Sequence, residues 1–359
     1  MLGRLARRSG APAPVQQVPR PAALDLGAYP GIDALLDSGD VLGALSLIRD
    51  REPGFDELRL ARVELQLRNE AFERVRRSPA PDVEWPPVSD KDLGPQGQLP
   101  EITADALDRE TLVAGVRTYG ILIVRGLFPT DACADLRAMI DNSVDTFSRD
   151  RNQEDPAWNM PLRTVDGDVL GAAAFRAFNH AAGGLAVGDA PAVSQRVLAA
   201  FEEVGVRDIV QSYLGERPAV SLEKWTMRKV PADTGSSWHQ DGAFLGTDKH
   251  TLNMWVALSD CGERASGLDI VAKRFDHIVA TGTAGSFLYW DVSPAVVEQE
   301  RGDHPIVSPV FQEGDAVFFD QFLLHKTGTK PDLTEDRYAL ETWFFSPHAF
   351  LAKYSGLLL

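Results

Sequence analysis

Cysteine, long apolar runs and basic charge are all scarce in this sequence. Its 359 residues include two cysteines, Cys133 and Cys261, which argues against a disulfide framework and favours a reducing cytoplasm. No apolar run approaches the roughly 20 residues that a membrane-spanning helix needs, so we expect no membrane partner. Lys and Arg number 36 against 52 Asp and Glu. The net charge of −16 repels phosphate backbones, and we therefore expect no nucleic-acid partner.

The overall composition is that of a globular protein, with 44% apolar residues. The length fits one large catalytic domain with additions or two domains of ordinary size. Residues 1–30 lack the apolar core of a secretory signal and are predicted to be a disordered tail. Residues 31–77 carry apolar side chains at helical spacing, divided by a Pro-Gly pair, and predict a helical extension. Six prolines within 78–100 predict an extended linker that leads into a main domain at 101–359.

The main domain begins with helical patterns and continues with short strands. Helices are predicted at 104–118, 130–147 and 191–204, and strands at 120–124, 219–230, 251–258, 268–271, 316–319 and 338–345. Antiparallel strands with turn signals predict an α+β fold, in which a double-sheet jelly roll has helices on one face. The polar, glycine-rich span 149–189 is longer than an ordinary connection needs and is interpreted as a lid.

The segment Trp238-His239-Gln240-Asp241 is the most informative part of the main domain. A histidine and a carboxylate separated by one residue point to the same side of a strand. His325 is interpreted as the end of an apolar strand, from which it can complete one face of a metal site. Two imidazoles and one carboxylate form the ligand set of non-haem Fe(II) oxygenases and leave coordination positions open. The triplet alone is weak evidence, because such triplets usually lie in solvent.

Arg337 strengthens this interpretation, because it opens an apolar strand after a turn-rich loop. A guanidinium is always charged and offers a planar fork to a carboxylate, so Arg337 can hold the far end of 2-oxoglutarate. The alternative for Arg337 is a surface ion pair with Glu335 or Asp336.

Together, the Trp-His-Gln-Asp motif, His325, Thr327, Arg337 and the run 119–128 resemble the phytanoyl-CoA dioxygenase family over residues 100–346. The resemblance implies an Fe(II)- and 2-oxoglutarate-dependent oxygenase domain at 101–359 with a cupin-like double-stranded β-helix core. His239, Asp241 and His325 would then ligate iron, and Arg337 with Thr327 would bind the distal carboxylate of 2-oxoglutarate. O₂ would be the co-substrate, and succinate and CO₂ the by-products.

The reaction type depends on Asp241, because halogenating relatives have a small residue at this position. An aspartate therefore favours hydroxylation of an unactivated C–H bond, whereas desaturation, ring formation and epimerisation stay open. The chain departs from the family where a Pro-Gly-Ser-His turn is usual, since residues 272–275 are Ala-Lys-Arg-Phe. No basic cluster suits a coenzyme A phosphate, and we therefore expect a small-molecule substrate without naming phytanoyl-CoA.

Further candidates come from strand alternation and from the suspected lid. Lys224, Thr226 and Arg228 alternate with apolar residues, and one such set can face a cavity and bind 2-oxoglutarate or an anionic substrate. The alternative is that this set of side chains simply faces solvent. The remaining candidates are Asn253 for 2-oxoglutarate, and His180, Trp238 and Trp255 for the substrate or the lid, with core packing as the alternative for Trp255.

Two other functions stay open at this point. A non-catalytic jelly-roll protein could bind a metal or a ligand, although such a role makes no demand on Arg337. A cupin-type enzyme with another metal would need more histidines near the first motif. The N-terminal helices could contact a carrier protein or form a homodimer, and the sequence gives no way to choose.

Overall fold

Two β-sheets and a set of flanking helices make up the computed structural model, which describes residues 23–149, 155–181 and 183–359. The helices, in chain order, are α1 (Ile32–Asp37), α2 (Val41–Arg51), α3 (Glu57–Val75), α4 (Arg109–Ala114), α5 (Thr130–Arg149), α6 (Ala173–Ala181), α7 (Pro191–Glu203), α8 (Val206–Leu214), α9 (Gly242–Leu245) and α10 (Pro294–Arg301). The strands are β1 (Glu101–Thr103), β2 (Ile121–Arg125), β3 (Gly184–Ala186), β4 (Ala219–Val230), β5 (Thr251–Ala257), β6 (Leu268–Val271), β7 (Ile306–Val307), β8 (Ala316–Phe319), β9 (His325–Thr327), β10 (Arg337–Phe345) and β11 (Gly356–Leu358).

The larger sheet has the strand order β1-β2-β8-β5-β10-β4-β11, and β3 also pairs with β4. Its pairs are antiparallel except for β1 with β2. The smaller sheet has the order β7-β6-β9 and is antiparallel. Sheets built from antiparallel neighbours that are distant in sequence are typical of jelly rolls. The predicted α+β fold with a double-stranded β-helix core is therefore confirmed.

Strand alternation divides the larger sheet into two faces with different partners. On its outer face, side chains such as Trp225 and Met227 join the core that helices α4, α5, α7 and α8 cover. On its inner face, side chains such as Phe319 and Trp343 pack towards Ile270 of the smaller sheet. Lys224, Thr226 and Arg228 alternate with the outer-face residues, so they point to the inner face, between the two sheets.

The predicted helix 104–118 is broken in the structure. Residues Ala104–Ala106 form a 3-10 turn, and α4 begins only after Asp108, whose carboxylate accepts a hydrogen bond from the amide of Thr111. This N-cap fixes the start of α4 because it binds an amide that would otherwise lack a partner. Helices α6, α8, α9 and α10 were not predicted.

The N-terminal extension contains three helices, and it packs on strand β11 of the larger sheet. Asn69 on α3 donates to the carbonyl of Gly356 at 2.9 Å. The ring of Phe72 lies so close to Gly356 that an added Cβ would be 2.5 Å from it, and the same ring packs edge-on against Phe350. A single apolar core joins α1–α3 to Leu358.

The end of the predicted tail and the predicted linker pack more closely against the rest of the protein than expected. Residues 1–22 of the predicted tail lie outside the described residues, but Tyr29 is buried and donates to Glu52 at 3.1 Å. Residues 78–100 carry no helix or strand, as expected of an extended segment. They run along the body nevertheless, because Trp85 stacks on His250 with ring centroids 4.2 Å apart. The domain boundaries themselves stay predictions.

The suspected lid, 149–189, is partly outside the described residues, at 150–154 and at 182. Its described part contains helix α6 and strand β3, and an ion pair joins Arg176 of α6 to Asp189, which lies in the 3-10 turn that follows β3. Across the described chain, no helix has both the length and the apolar content to cross a membrane.

We expect Phe72→Ala to lower the free energy of unfolding by about 3–5 kcal/mol, because it empties a fully buried site between α3 and the larger sheet. Denaturant unfolding followed by circular dichroism measures the change. Leu42→Ala on the exposed side of α2 is the matched control and should stay within about 0.5 kcal/mol. An N-terminal unit that unfolds alone, while the main transition is unchanged, would contradict this packing.

Candidate active site

His239, Asp241 and His325 come together at the inner face, where each offers one ligand atom within 4.8 Å of the others. Nε2 of His325 lies 3.9 Å from Oδ2 of Asp241. Asp241 is 5% exposed and His325 is 8% exposed, so water has little access to them. Two imidazoles and a carboxylate on one face fit an Fe(II) ion with open coordination positions.

A backbone bridge positions the two histidines. The amide of His239 donates to the carbonyl of His325 at 3.0 Å, and the amide of His325 donates back at 3.1 Å. An antiparallel pair that exchanges both hydrogen bonds holds its two side chains on the same side. The ring centroids of the two histidines are 4.5 Å apart as a result.

Asp241 reaches the site through a turn, which corrects the expectation that the His-x-Asp segment is a strand. His239 forms only an isolated bridge, and Asp241 has helical backbone angles at the start of α9. The following Gly242 donates to the carbonyl of Gln321 at 2.8 Å, and a Cβ on Gly242 would lie 3.0 Å from that oxygen. His325 likewise opens β9, whereas it was predicted to close the strand before it.

The ring nitrogens of both histidines are arranged for metal binding. Nδ1 of His239 lies 2.9 Å from the carbonyl of Ser237, and Nδ1 of His325 lies 3.1 Å from the carbonyl of Leu323. A carbonyl can only accept, so each Nδ1 carries the proton and each Nε2 keeps a lone pair. Burial, with His239 nearby, lowers the pKa of His325 to about 4, so the ring is neutral at neutral pH.

Gln240 points away from the site and connects three chain segments. Its amide nitrogen donates to the carbonyls of His277 and Phe322 at 3.0 and 2.8 Å, and its amide oxygen accepts from Val279 at 2.8 Å. The side chain is fully buried, so these bonds are protected from competing water. Gln240 therefore holds the segment before His325 in a fixed position relative to the segment that contains His239.

Arg337 lies at the start of β10 on the inner face and is 3% exposed. One of its terminal nitrogens donates to the carbonyl of Gly267 at 3.0 Å, and its Nε has no partner among the described residues. The alternative of a surface ion pair is wrong, since Arg337 is buried and Glu335 pairs with Arg264. Burial lowers the pKa of Arg337 to about 10, which still leaves it charged at neutral pH.

Thr327 and Asn253 lie on strands that border this region. Thr327 pairs with Leu268, beside the Gly267 carbonyl that Arg337 contacts. Asn253 is fully buried, and neither atom of its amide has a partner among the described residues. Buried polar groups are normally hydrogen-bonded, so these atoms and the Nε of Arg337 fit a polar ligand at the inner face.

The three β4 candidates have different surroundings. Arg228 forms a two-point ion pair with Glu341 at 2.9 Å, and Thr226 accepts from Asn179 of α6 at 3.3 Å. Lys224 is half-buried, and its ammonium lies 4.0 Å from the centroid of the Phe244 ring. Burial favours the neutral form of Glu341, but Arg228 and Lys224 outweigh that effect and hold its pKa below the usual range.

The remaining candidates, His180, Trp238 and Trp255, have different surroundings. His180 is half-buried on α6, next to Asn179. The carbonyl of Trp238 accepts from Val292, while its ring faces the ammonium of Lys326. Trp255 is 4% exposed and packs between Arg337 and Phe311, which fits the packing alternative.

Sequence reasoning missed an aromatic group beside the metal ligands. The Trp290 ring lies 5.7 Å from the His239 ring and 5.8 Å from the Phe244 ring. Phe244 could have been found, because it follows Asp241 by three residues within one helical turn. Trp290 belongs to an irregular loop that tertiary contacts alone bring to the site, so no local pattern marks it.

Comparisons with known proteins identify the family of this chain. Residues 116–331 match the family model "Phytanoyl-CoA dioxygenase (PhyH)". No curated protein matches the chain. Solved structures with a similar fold include AviO1 from Streptomyces viridochromogenes Tue57, with 19% identity over 69% of this chain and 99% of that one, at a TM-score of 0.46.

Two further structures are similar at comparable levels. One is SnoK, a non-haem alpha-ketoglutarate-dependent carbocyclase from nogalamycin biosynthesis, with 15% identity, coverage of 68% and 87%, and a TM-score of 0.45. The other is EctD from S. alaskensis with 2-oxoglutarate and 5-hydroxyectoine, with 18% identity, coverage of 68% and 74%, and a TM-score of 0.42. Because the family model covers more than half of the chain, this protein belongs to the phytanoyl-CoA dioxygenase family of Fe(II)- and 2-oxoglutarate-dependent oxygenases.

Proposed function

We propose that this protein hydroxylates an unactivated C–H bond of a small-molecule substrate, with His239, Asp241 and His325 as the iron ligands. The observation that carries the proposal is the buried guanidinium of Arg337, on the same inner face as the three ligands and without a carboxylate partner among the described residues. A charge buried without a partner is costly, so an anionic ligand is expected there. A protein that only binds a metal would have no need of it.

In this proposal the chain's own residues bind and orient the co-substrate. Arg337 binds the distal carboxylate of 2-oxoglutarate, with Thr327 as a neighbouring hydrogen-bond partner, and the keto-acid end is directed towards the ligands. The unpaired amide of Asn253 is available to the same molecule. When bound, iron with 2-oxoglutarate and O₂ supplies an oxidant for the C–H bond and leaves succinate and CO₂. Phe319 packs edge-on against His325 with centroids 5.0 Å apart and limits the access of water.

Hydroxylation is the favoured outcome because Asp241 fills the third ligand position. Its carboxylate is held by the α9 turn and stands within 3.9 Å of His325. A small residue at this position would instead leave room for a halide ligand. The proposed product therefore carries one oxygen atom from O₂, which mass spectrometry with isotopically labelled O₂ detects.

The compartment and the partners remain part of the proposal. Cys133 and Cys261 are buried free thiols, which is consistent with a reducing cytoplasm. A homodimer or carrier-protein contact through the N-terminal helices stays a prediction. The apolar side chains of these helices are largely used in packing against one another and, through α3, on β11.

We expect the wild-type protein to bind Fe(II) and, with 2-oxoglutarate under anaerobic conditions, to develop the visible absorption band of the chelate. Asp241→Ala and His325→Ala should lose both iron and the band, because each removes one of three ligands. Metal analysis and absorbance measure the two effects. His277→Ala, which changes an exposed histidine, should retain both. Succinate formation by the ligand variants at the wild-type rate would contradict the assignment.

Arg337→Leu should raise the 2-oxoglutarate concentration that half-saturates the band by about 10²-fold, because truncating one partner of a buried charge pair costs about 2–5 kcal/mol. Iron stoichiometry should not change. Arg264→Leu removes the same charge from an exposed position and serves as the control. An unaltered titration of Arg337→Leu would show that another group binds the co-substrate.

Gln240→Leu should weaken Fe(II) binding by about 10–100-fold, as loss of the groups that orient metal ligands typically does. Competition with a chelator measures the affinity, and circular dichroism checks that the fold is kept. Gln211→Leu changes an exposed glutamine on α8 and should have no effect. Equal affinities for the Gln240 and Gln211 variants would mean that Gln240 does not position the ligands.

A further inference from the structure

We propose that the substrate carries an anionic group, a carboxylate or a phosphate, which Lys224 and Lys353 bind at the end of the inner face opposite Arg337. The rest of the substrate is apolar and packs on the aromatic side chains around Trp290. This inference rests on the proposed function, because it assigns the substrate of the same site.

Lys224 is a cation without a carboxylate of its own. In the described part of the chain it forms no ion pair, and its ammonium lies over the face of Phe244. Asp241 and Glu341 are the carboxylates near it. Asp241 is a proposed iron ligand, and Glu341 is already held by Arg228 at two points. With iron bound, Lys224 has no free anion of the protein to compensate it.

Lys353 brings a second cation to the same place. Its ammonium donates to the carbonyl of Phe244 at 3.0 Å, so the two lysines flank one phenylalanine. Lys353 forms no ion pair with any residue that the structure describes. Burial lowers the pKa of Lys224, and the nearby positive charges of Arg228 and Lys353 act in the same direction. Two cations that repel each other are stabilised by an anion between them.

The charges of the loaded site lead to the same conclusion. Four cations, Lys224, Arg228, Arg337 and the solvent-exposed Lys353, accompany three carboxylates, Asp241, Glu341 and Asp291, the last of which is buried next to Trp290. Fe(II) adds two positive charges and 2-oxoglutarate removes two, so a surplus of one positive charge remains. Such a surplus stands out in a chain whose net charge is −16, and it attracts an anionic substrate locally.

The anion site is separate from the place proposed for 2-oxoglutarate. In the pairing of β4 with β10, Arg337 lies opposite Val230, whereas Lys224 is six residues further along β4. This separation corresponds to about 20 Å along the strand. The Arg228–Glu341 ion pair lies between the two cations and neutralises itself.

The surroundings of the two lysines are aromatic. Trp290 contacts the rings of both His239 and Phe244, and its neighbours Tyr289 and Phe287 are 79% and 88% exposed. Exposed apolar patches often mark binding sites, and these two residues shortly precede the partly exposed Trp290 in the chain. An apolar group attached to the anion would pack on Trp290, next to the proposed iron.

The test uses the anaerobic Fe(II)–2-oxoglutarate protein and three small probes: phenylacetate, phenyl phosphate and the neutral phenylacetamide. Calorimetry measures their binding. We expect at least one anion to bind about 10-fold or more tightly than the amide, and Lys224→Met and Lys353→Met each to remove that preference. The stronger of the two anions identifies the class of the group. Acetate should bind more weakly than phenylacetate, because it lacks the apolar part.

Lys91→Met removes the same charge near Asp108, away from the site, and should leave the preference intact. Equal binding of acid and amide, or no binding of either anion at about 10 mM, where a millimolar site would be occupied, would overturn the inference. A higher 2-oxoglutarate requirement in Lys224→Met would also overturn it, by assigning Lys224 to the co-substrate. A wild-type protein without the absorption band would contradict the proposed function instead, so the two failures are distinguishable.

Discussion

The reciprocal pair of backbone hydrogen bonds between His239 and His325 is the constraint on which the site depends. It joins two segments that are far apart in sequence, and the same local arrangement occurs in both. Each ring donates through Nδ1 to the carbonyl two residues before it, at Ser237 and at Leu323. The bridge fixes the distance between the imidazoles, and the carbonyls fix their tautomers. Gln240 holds the surrounding segments together, so the three candidate ligand side chains are kept in place by the protein itself.

Charged side chains lie in three zones along the inner face of the larger sheet. Arg337 stands unpaired at one end, Arg228 and Glu341 neutralise each other in the middle, and Lys224 stands unpaired at the other end. Buried charges are tolerated when a partner compensates them. The proposed partners at the two ends are 2-oxoglutarate and an anionic substrate, which places the metal ligands near the central zone. The interactions of Glu341 with both Lys224 and His325 support this order along the strand.

Much of this arrangement could be predicted from local patterns, and the rest could not. Strand β4 was predicted with its observed bounds because Trp225 and Met227 alternate with polar residues. The cluster of His239, Asp241 and His325, and the buried position of Arg337 on the same face, follow from residue types at recognisable spacings. Local patterns failed where contacts between distant segments determine the structure. Asp241 occupies a turn, Tyr29 is buried within the supposed tail, and Trp290 reaches the site from an irregular loop. Helix α8 was missed because its pattern is short and glycines bound both of its ends.

A crystal structure of the anaerobic complex with Fe(II) and 2-oxoglutarate would show directly whether these residues form the iron site. We expect a metal bound by Nε2 of His239, Nε2 of His325 and the carboxylate of Asp241. We also expect a 2-oxoglutarate carboxylate on Arg337, bound by the Nε that has no partner among the described residues. A metal held by other residues, or a co-substrate whose distal carboxylate lies away from Arg337, would contradict this assignment.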